Sequence, residues 1–211
     1  MQSAARAVPV FTLPEIGQAY GGGYFSGITV QDGKRYLVIT AGLEHELKGK
    51  WGEYGAIVEG AGSFIDGRAN TEAMAAAGSE LAQKVLALEI GGNADWAIPA
   101  RDQQELQYRN LKPTTEANYC WSRDGDNPNS LPIGTPYTEE SPAQTTVPAF
   151  QQGGTEAFAD AWYWSSSQRS ASSAFGMNFD GGLQNCGGKD IELRVRPVRA
   201  IPLDSLGLAD A

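Results

Sequence analysis

The side chains best placed to do chemistry in this chain favour recognition over catalysis. Late in the sequence Gln168, Arg169, Ser170, Ser172 and Ser173 lie between two β-rich runs. Asn178 and Asp180 end the second run, and Gln184 and Asn185 follow a Gly-Gly turn. Short hydroxyl and amide groups with one guanidinium, beside the aromatic run Trp162-Tyr163-Trp164, make an adaptable surface that bonds to a ligand without reacting with it. Candidate ligand-binding residues are therefore Trp162, Gln168, Arg169, Ser172, Asn178, Asp180, Gln184 and Asn185. The same residues also read as plain solvated turns.

The catalytic inventory is thin. The single histidine, His45, sits in a charged segment over 44–50 and reads as surface. No Gly-x-Ser-x-Gly elbow, Walker loop or dinucleotide fingerprint occurs. Glu139-Glu140 lies in a polar loop that gives no reason for a shifted pKa. Neither catalytic residues nor a cofactor or metal centre is expected. One cluster has the oxygen spacing of a calcium loop, Asp124-Gly125-Asp126-Asn127-Pro128-Asn129. The glycine position and distal Glu of an EF-hand are missing, and an Asx-rich turn accounts for it. Cys120 and Cys186 have no CxxC spacing; they read either as two buried thiols or as a disulfide in an oxidising setting.

Charge narrows the partners. Lys and Arg total 16 against 25 Asp and Glu, a net charge of -9 with no basic run. Nucleic acids and anionic membrane surfaces both need clustered cations, so neither is an expected partner. Five Trp, eight Tyr and seven Phe set the chain apart from disordered sequences, which are aromatic-poor. No apolar run approaches the roughly 18 residues of a membrane span. The first 17 residues carry one Arg and are broken by Pro9 and Pro14, so they read as an extended arm rather than a signal peptide.

The elements that must position these groups are legible in outline. Residues 24–30 and 36–40 are β-rich and flank Asp32-Gly33, a hairpin signal. Residues 70–90 carry Met74, Leu81, Val85 and Leu88 at helical spacing, with Asn70 as cap and Gly91-Gly92 as stop. A shorter helix is expected over 101–110, with Asp102 and Glu105 spaced like a capping box. Residues 113–160 hold Pro113, Pro128, Pro132, Pro136, Pro142 and Pro148, so long regular elements are not expected there. Strands return over 162–166, 174–179 and 192–200, and residues 203–211 read as a frayed tail. Alternation places Trp162 and Trp164 on one strand face and Tyr163 on the other. Arg194, Arg196 and Arg199 are expected to pair with carboxylates, Asp66 and Asp95 among them. The order implies an α+β fold with the first and last strands meeting in an antiparallel sheet.

Four motifs then carry a resemblance. Asp95-Trp96-Ala97-Ile98-Pro99-Ala100-Arg101-Asp102, with Glu105-Leu106 and Tyr108-Arg109-Asn110-Leu111-Lys112-Pro113, resembles the DWxLP(S)RDEL…LYRNLKP stretch of a bacterial and phage domain family. Asp66-Gly67-Arg68-Ala69-Asn70-Thr71, Tyr163-Trp164-Ser165-Ser166-Ser167 and Arg194-Val195-Arg196-Pro197-Val198-Arg199 match its DGxxNT, YWSS and VRPVR stretches in order. Ala100 stands where the family usually has Ser, which moves the cap duty toward Asp102, and Gln104 stands at an apolar position.

Members of that family include the C-terminal domain of collagen-like bacterial adhesins and many phage tail-associated proteins. The resemblance implies a C-type-lectin-like fold over residues 18–202. That fold has two helices, a small antiparallel sheet joining the termini and a long irregular loop region. It also implies a phage or prophage virion protein, made in the host cytoplasm and carried on the particle. As a tail-fibre or tail-tip component it would bind a host-surface glycan or protein without covalent chemistry, strengthened by multivalency in a homotrimer. The alternative is a head-decoration or tail-scaffold subunit binding other virion proteins. A related branch, the formylglycine-generating enzymes, uses two closely spaced cysteines with copper, a spacing Cys120 and Cys186 do not resemble.

Overall fold

The computed structural model describes residues 12–121 and 125–207. In chain order its elements are β1 (Ala19–Tyr20), β2 (Gly23–Gln31), β3 (Lys34–Thr40), β4 (Leu47–Lys50), α1 (Gly67–Ala76), α2 (Glu80–Leu86) and α3 (Arg101–Leu111). There follow β5 (Ser130–Leu131), β6 (Trp162–Gln168), β7 (Ser173–Asn178), β8 (Gln184–Gly188), β9 (Glu192–Val195) and β10 (Val198–Pro202). The fold is α+β. Among the described residues the strands form two five-stranded sheets, not one small sheet.

The first sheet grows from the expected hairpin. Asp32 and Gly33 take φ of 50° and 76°, the left-handed pair whose twist matches the flanking strands. β10 adds antiparallel to β3, with Val198 opposite Thr40 and Pro202 opposite Tyr36, so the early and late strands do share a sheet. β5 pairs with the other edge of β2. The second sheet runs β4-β9-β6-β7-β8. Its β6–β9 contact is parallel, through Tyr163 and Arg194, a departure from an all-antiparallel arrangement.

Among the described residues three α-helices stand where two are expected. The 70–90 helix is divided because Gly78 turns the backbone to φ +93°, and Ser79 restarts it. The Ser79 hydroxyl accepts from the Ala82 N–H and donates to the Trp51 carbonyl at 2.8 Å. The cap of α1 is Asp66, which accepts from the Ala69 N–H at 2.9 Å. Asn70 is instead buried, with its amide on both backbone groups of Ser63. At α3 the N-cap Ala100 has no side-chain oxygen to offer, and the cap is supplied from elsewhere: Ser167 of β6 accepts the Arg101 N–H at 3.0 Å, and Gln103 accepts the Ala100 N–H at 2.9 Å. Asp102 therefore has no capping duty. Gln104 is buried and donates to the Tyr163 carbonyl at 3.0 Å.

Strand alternation in β6 sorts the aromatics as expected. Trp164 packs with Trp51, Met74, Leu81, Val85 and Val195 between the second sheet and α1–α2. Tyr163 faces the other way into a cluster with Tyr108, Phe158, Met177 and Phe179, where the Phe158 and Phe179 rings stack at 4.1 Å. A third cluster, Phe25, Leu37, Ile39, Trp96 and Leu203, lies on the first sheet. Leu203 corrects the tail reading: Leu203–Leu206 is a turn of 3-10 helix whose first side chain is buried. Residues 208–211 and residues 1–11 of the expected arm lie outside the described residues. Among the described residues no helix is long and apolar enough to cross a membrane.

Candidate functional site

One end of the second sheet gathers three loops over a single buried ammonium. β6 ends at Gln168 and the chain reverses through residues 169–172, where the Arg169 and Ser170 N–H groups donate to the Ser173 carbonyl at 3.0 Å each. β8 turns into β9 through residues 189–191. The third loop is residues 51–58. Lys189 is fully buried between them. Its Nζ donates to the Ala56 carbonyl and to Gln168 Oε1, both at 2.6 Å. The same Nζ lies 4.6 Å from the Trp51 ring centroid, within cation–π range. Its main chain completes the clamp: its N–H donates to the Ser172 carbonyl at 3.0 Å and its carbonyl accepts from Gly52 at 3.2 Å. Burial pushes the Lys189 ammonium below its ordinary pKa, and its hydrogen-bond partners are dipoles rather than a carboxylate that would offset this.

Above this clamp the loops present apolar and polar groups together. Tyr54 is 61% exposed, Ile57 55% and Ile191 45%. Tyr54 lies beside Gly188 and Ile191 beside Gly187, where the absence of side chains leaves room for both. The Ser170 and Ser173 hydroxyls bond to each other at 2.7 Å. Arg169 is exposed, and its Nη1 lies 2.6 Å from Cys186 Sγ. A rigid base with large apolar groups and short hydroxyls at its rim suits non-covalent recognition.

The eight sequence-predicted residues divide. Gln168, Arg169 and Ser172 come together at this end. Gln168 is a support there: Oε1 also accepts from the Val58 N–H at 2.8 Å. Trp162 and Asn178 are register partners at the far end of the hairpin, about 17 Å away at ~3.3 Å per residue. Asp180 follows Asn178, whose side chain accepts its N–H at 3.0 Å. Burial, with Asp160 and Glu116 adding repulsion, raises the Asp180 carboxyl pKa. Gln184 is no surface group: it is buried and donates to the Arg101 carbonyl at 2.9 Å. Asn185 is exposed on β8.

The other candidates resolve as follows. Cys120 is exposed and Cys186 half-buried, and both are free thiols, so neither the disulfide nor the pair of buried thiols holds. In the calcium-like cluster Asp124 lies outside the described residues. The Asn127 amide donates to Glu105 Oε2 at 2.7 Å and that of Asn129 to Asp102 Oδ2 at 2.6 Å. Among the described residues no group of three or more His, Cys, Asp or Glu could hold a metal. His45 is half-exposed beside Glu44 at 3.3 Å. Arg199 pairs with Asp95 at 2.8 Å as expected, whereas Arg194 and Arg196 share Glu46. Asp66 serves α1 and Gln31 rather than an arginine.

Sequence reasoning missed Lys189, Trp51, Tyr54 and Ile57. For the last two a signal exists: an aromatic and a β-branched residue inside the aperiodic, Gly-rich stretch 49–62 have no core face to fill. No protein-family model matches the chain, and no curated protein matches it.

Proposed function

We propose that the chain is a phage or prophage virion protein, a tail-fibre or tail-tip component. Its C-type-lectin-like domain recognises a host-surface glycan or protein without covalent chemistry. The observation that supports this is the three-loop end of the second sheet. Loops fixed from below by Lys189 leave Tyr54, Ile57 and Ile191 in solvent beside Arg169 and the turn serines. Exposed apolar groups on a preordered base are the usual mark of an interaction surface. Weak single sites gain from multivalency, so the reading includes a homotrimer.

The test is binding of labelled protein, presented on multivalent beads, to a panel of intact bacterial cells. Saturable binding that is lost in a Tyr54→Ala/Ile191→Ser variant is expected. Absence of binding to every strain in the panel overturns the reading.

A second reading, a head-decoration or tail-scaffold subunit, has its own observation. At the opposite end of the β6–β7 hairpin Trp121 is 74% exposed and Tyr119 is 43% exposed. Tyr119 is anchored by its N–H on the Gly181 carbonyl at 2.8 Å. Under that reading Trp121→Ala blocks particle assembly and leaves cell binding intact.

A further inference from the structure

We infer that the ligand of the three-loop surface is an acidic saccharide whose carboxylate or phosphate is received by Arg169; this rests on the recognition reading above. Six other arginines among the described residues are committed to carboxylates. Arg68 pairs with Glu72 at 2.6 Å, Arg101 with Asp102 at 3.7 Å, Arg109 with Glu105 at 2.7 Å and Arg199 with Asp95 at 2.8 Å. Arg194 and Arg196 share Glu46. Arg169 is different. No carboxylate of the described residues lies within ion-pair distance of it, and its side chain is bonded to the Cys186 thiol. A thiol is a weak acceptor and uses one of five guanidinium N–H groups. On a chain of net charge -9, an exposed arginine left without a carboxylate keeps a planar fork for an external oxyanion.

Strand geometry places the rest of a sugar site beside it. Cys186 and Gly188 point to the same face of β8, two residues or about 7 Å apart. Arg169 lies on the first and the Tyr54 ring on the second. In register across the sheet Phe175 pairs with Cys186 and Ser173 with Gly188. The strip therefore runs from a half-buried Phe175, through the Arg169 guanidinium and the Ser170 and Ser173 hydroxyls, to an exposed Tyr54. Its length is that of one or two pyranose rings. An aromatic ring takes a sugar's apolar face and the hydroxyls take its polar edge. The Asp190 carboxylate, on the Tyr54 side next to Gly188, sets the polarity: ligand hydroxyls belong at that end and the anionic group at Arg169.

The experiment is a glycan panel with three arms: uronic-acid oligosaccharides, sugar-phosphate oligomers and neutral oligosaccharides. It is run with the whole chain, Arg169→Ala, Arg169→Lys and Tyr54→Ala, each checked for an unchanged melting curve, and beside the intact-cell assay. Expected is binding in one acidic arm that falls with added salt and weakens by about tenfold or more in Arg169→Ala. Arg169→Lys recovers part of it, since a point charge lacks the bidentate fork. Whichever of the two acidic arms binds identifies the anionic group. Binding of neutral oligosaccharides unaffected by Arg169→Ala overturns the inference and leaves the recognition reading standing, as does cell binding that Arg169→Ala does not change. Silence in all arms and on cells overturns both.

Discussion

Irregular chain is held in place twice in this molecule, by buried charge both times and by opposite designs. At the three-loop end one ammonium, Lys189, reaches two loops through a carbonyl and an amide oxygen. Under the long irregular region the work is divided along one face of α3. Asp102, Glu105 and Arg109 recur at helical spacing, Lys112 follows as the C-cap, and all four are largely buried. Glu105 accepts from Arg109 Nε at 2.7 Å, Tyr137 Oη at 2.8 Å and Asn127 Nδ2 at 2.7 Å. Arg109 donates onward to the carbonyls of Gly125 and Thr135 at 2.6 and 2.8 Å. Lys112 donates to the Glu116 and Pro142 carbonyls. Asn118, bonded to the Tyr108 hydroxyl at 2.7 Å, bridges Thr138 and Pro142 at 3.0 Å each. In the α3 face, carboxylate and guanidinium neutralise one another. At the other end, among the described residues, the single charge is met by dipoles and the Trp51 ring. The difference teaches where cooperativity lies. Loss of either member of the Glu105–Arg109 pair strands its opposite charge in the interior, so the damage is global. Loss of Lys189 strands no charge, so the damage stays with the loops it clamps.

The largest expected effect follows from the first half of that contrast. Glu105→Ala leaves Arg109 buried without its carboxylate and takes an acceptor from Tyr137 and Asn127. A cost of about 3–5 kcal/mol is expected for breaking a buried pair, read as a drop in the urea midpoint. Glu105→Leu/Arg109→Met removes both charges and is expected to recover a good part of it. A double variant no better than the single one breaks the explanation by stranded charge. Next in size is Lys189→Met, which keeps the stem and deletes two hydrogen bonds. About 1–3 kcal/mol is expected, with amide-exchange protection lost in 51–58 and 168–172 and kept along α3. Cell binding falls with it. If protection is lost evenly across the chain, the two ends are not separate units and the contrast fails.

How much of this was legible in the sequence depends on whether a residue's partner is local. The Asp32-Gly33 hairpin and the two faces of β6 follow from short-range pattern, and the Arg199–Asp95 pair from simple charge pairing; the meeting of early and late strands follows from the order of the elements. The division of the 70–90 helix was also written locally, in Gly78-Ser79, but sustained apolar spacing on both sides outweighed it. The burial of the α3 face was not legible. Asp102 and Glu105 at that spacing ordinarily mean a cap and a solvated turn, and nothing in a Pro-rich stretch says that it folds back over a helix. The candidate site fared in the same way. Arg169 and Ser172 lie in the turn between β6 and β7, as turn residues between strands do. The burial of Gln184 was not legible, because the side on which an edge strand is covered depends on α3, about 80 residues away by the 83-residue separation of its hydrogen bond to Arg101.

The smallest effect sharpens the contrast through pH. Lys189 and Lys112 both have pKa values lowered by burial from 10.5, and at Lys112 the nearby Glu116 and Asp180 push the other way. A lysine whose folded pKa is lowered binds fewer protons in the folded chain than in the unfolded one, within the window between the lowered value and 10.5. Stability therefore rises with pH through that window. Tyr137 and Tyr163 act with the opposite sign. Burial, helped by Glu105 and Glu46, raises their pKa above 10.0. The unfolded chain then ionises first, and stability falls as pH climbs past 10.0. The melting temperature of the whole chain is expected to hold or rise toward pH 10 and to fall beyond it. Tyr137→Phe is expected to soften the fall, because a phenyl ring has no proton to lose. Lys189→Met is expected to flatten the rise more than Lys112→Met does, since no carboxylate opposes the shift at Lys189. Equal flattening by the two lysine variants would mean that the ammonium at the three-loop end is not isolated from carboxylates, and the distinction between a single charge met by dipoles and a neutralised face would not survive.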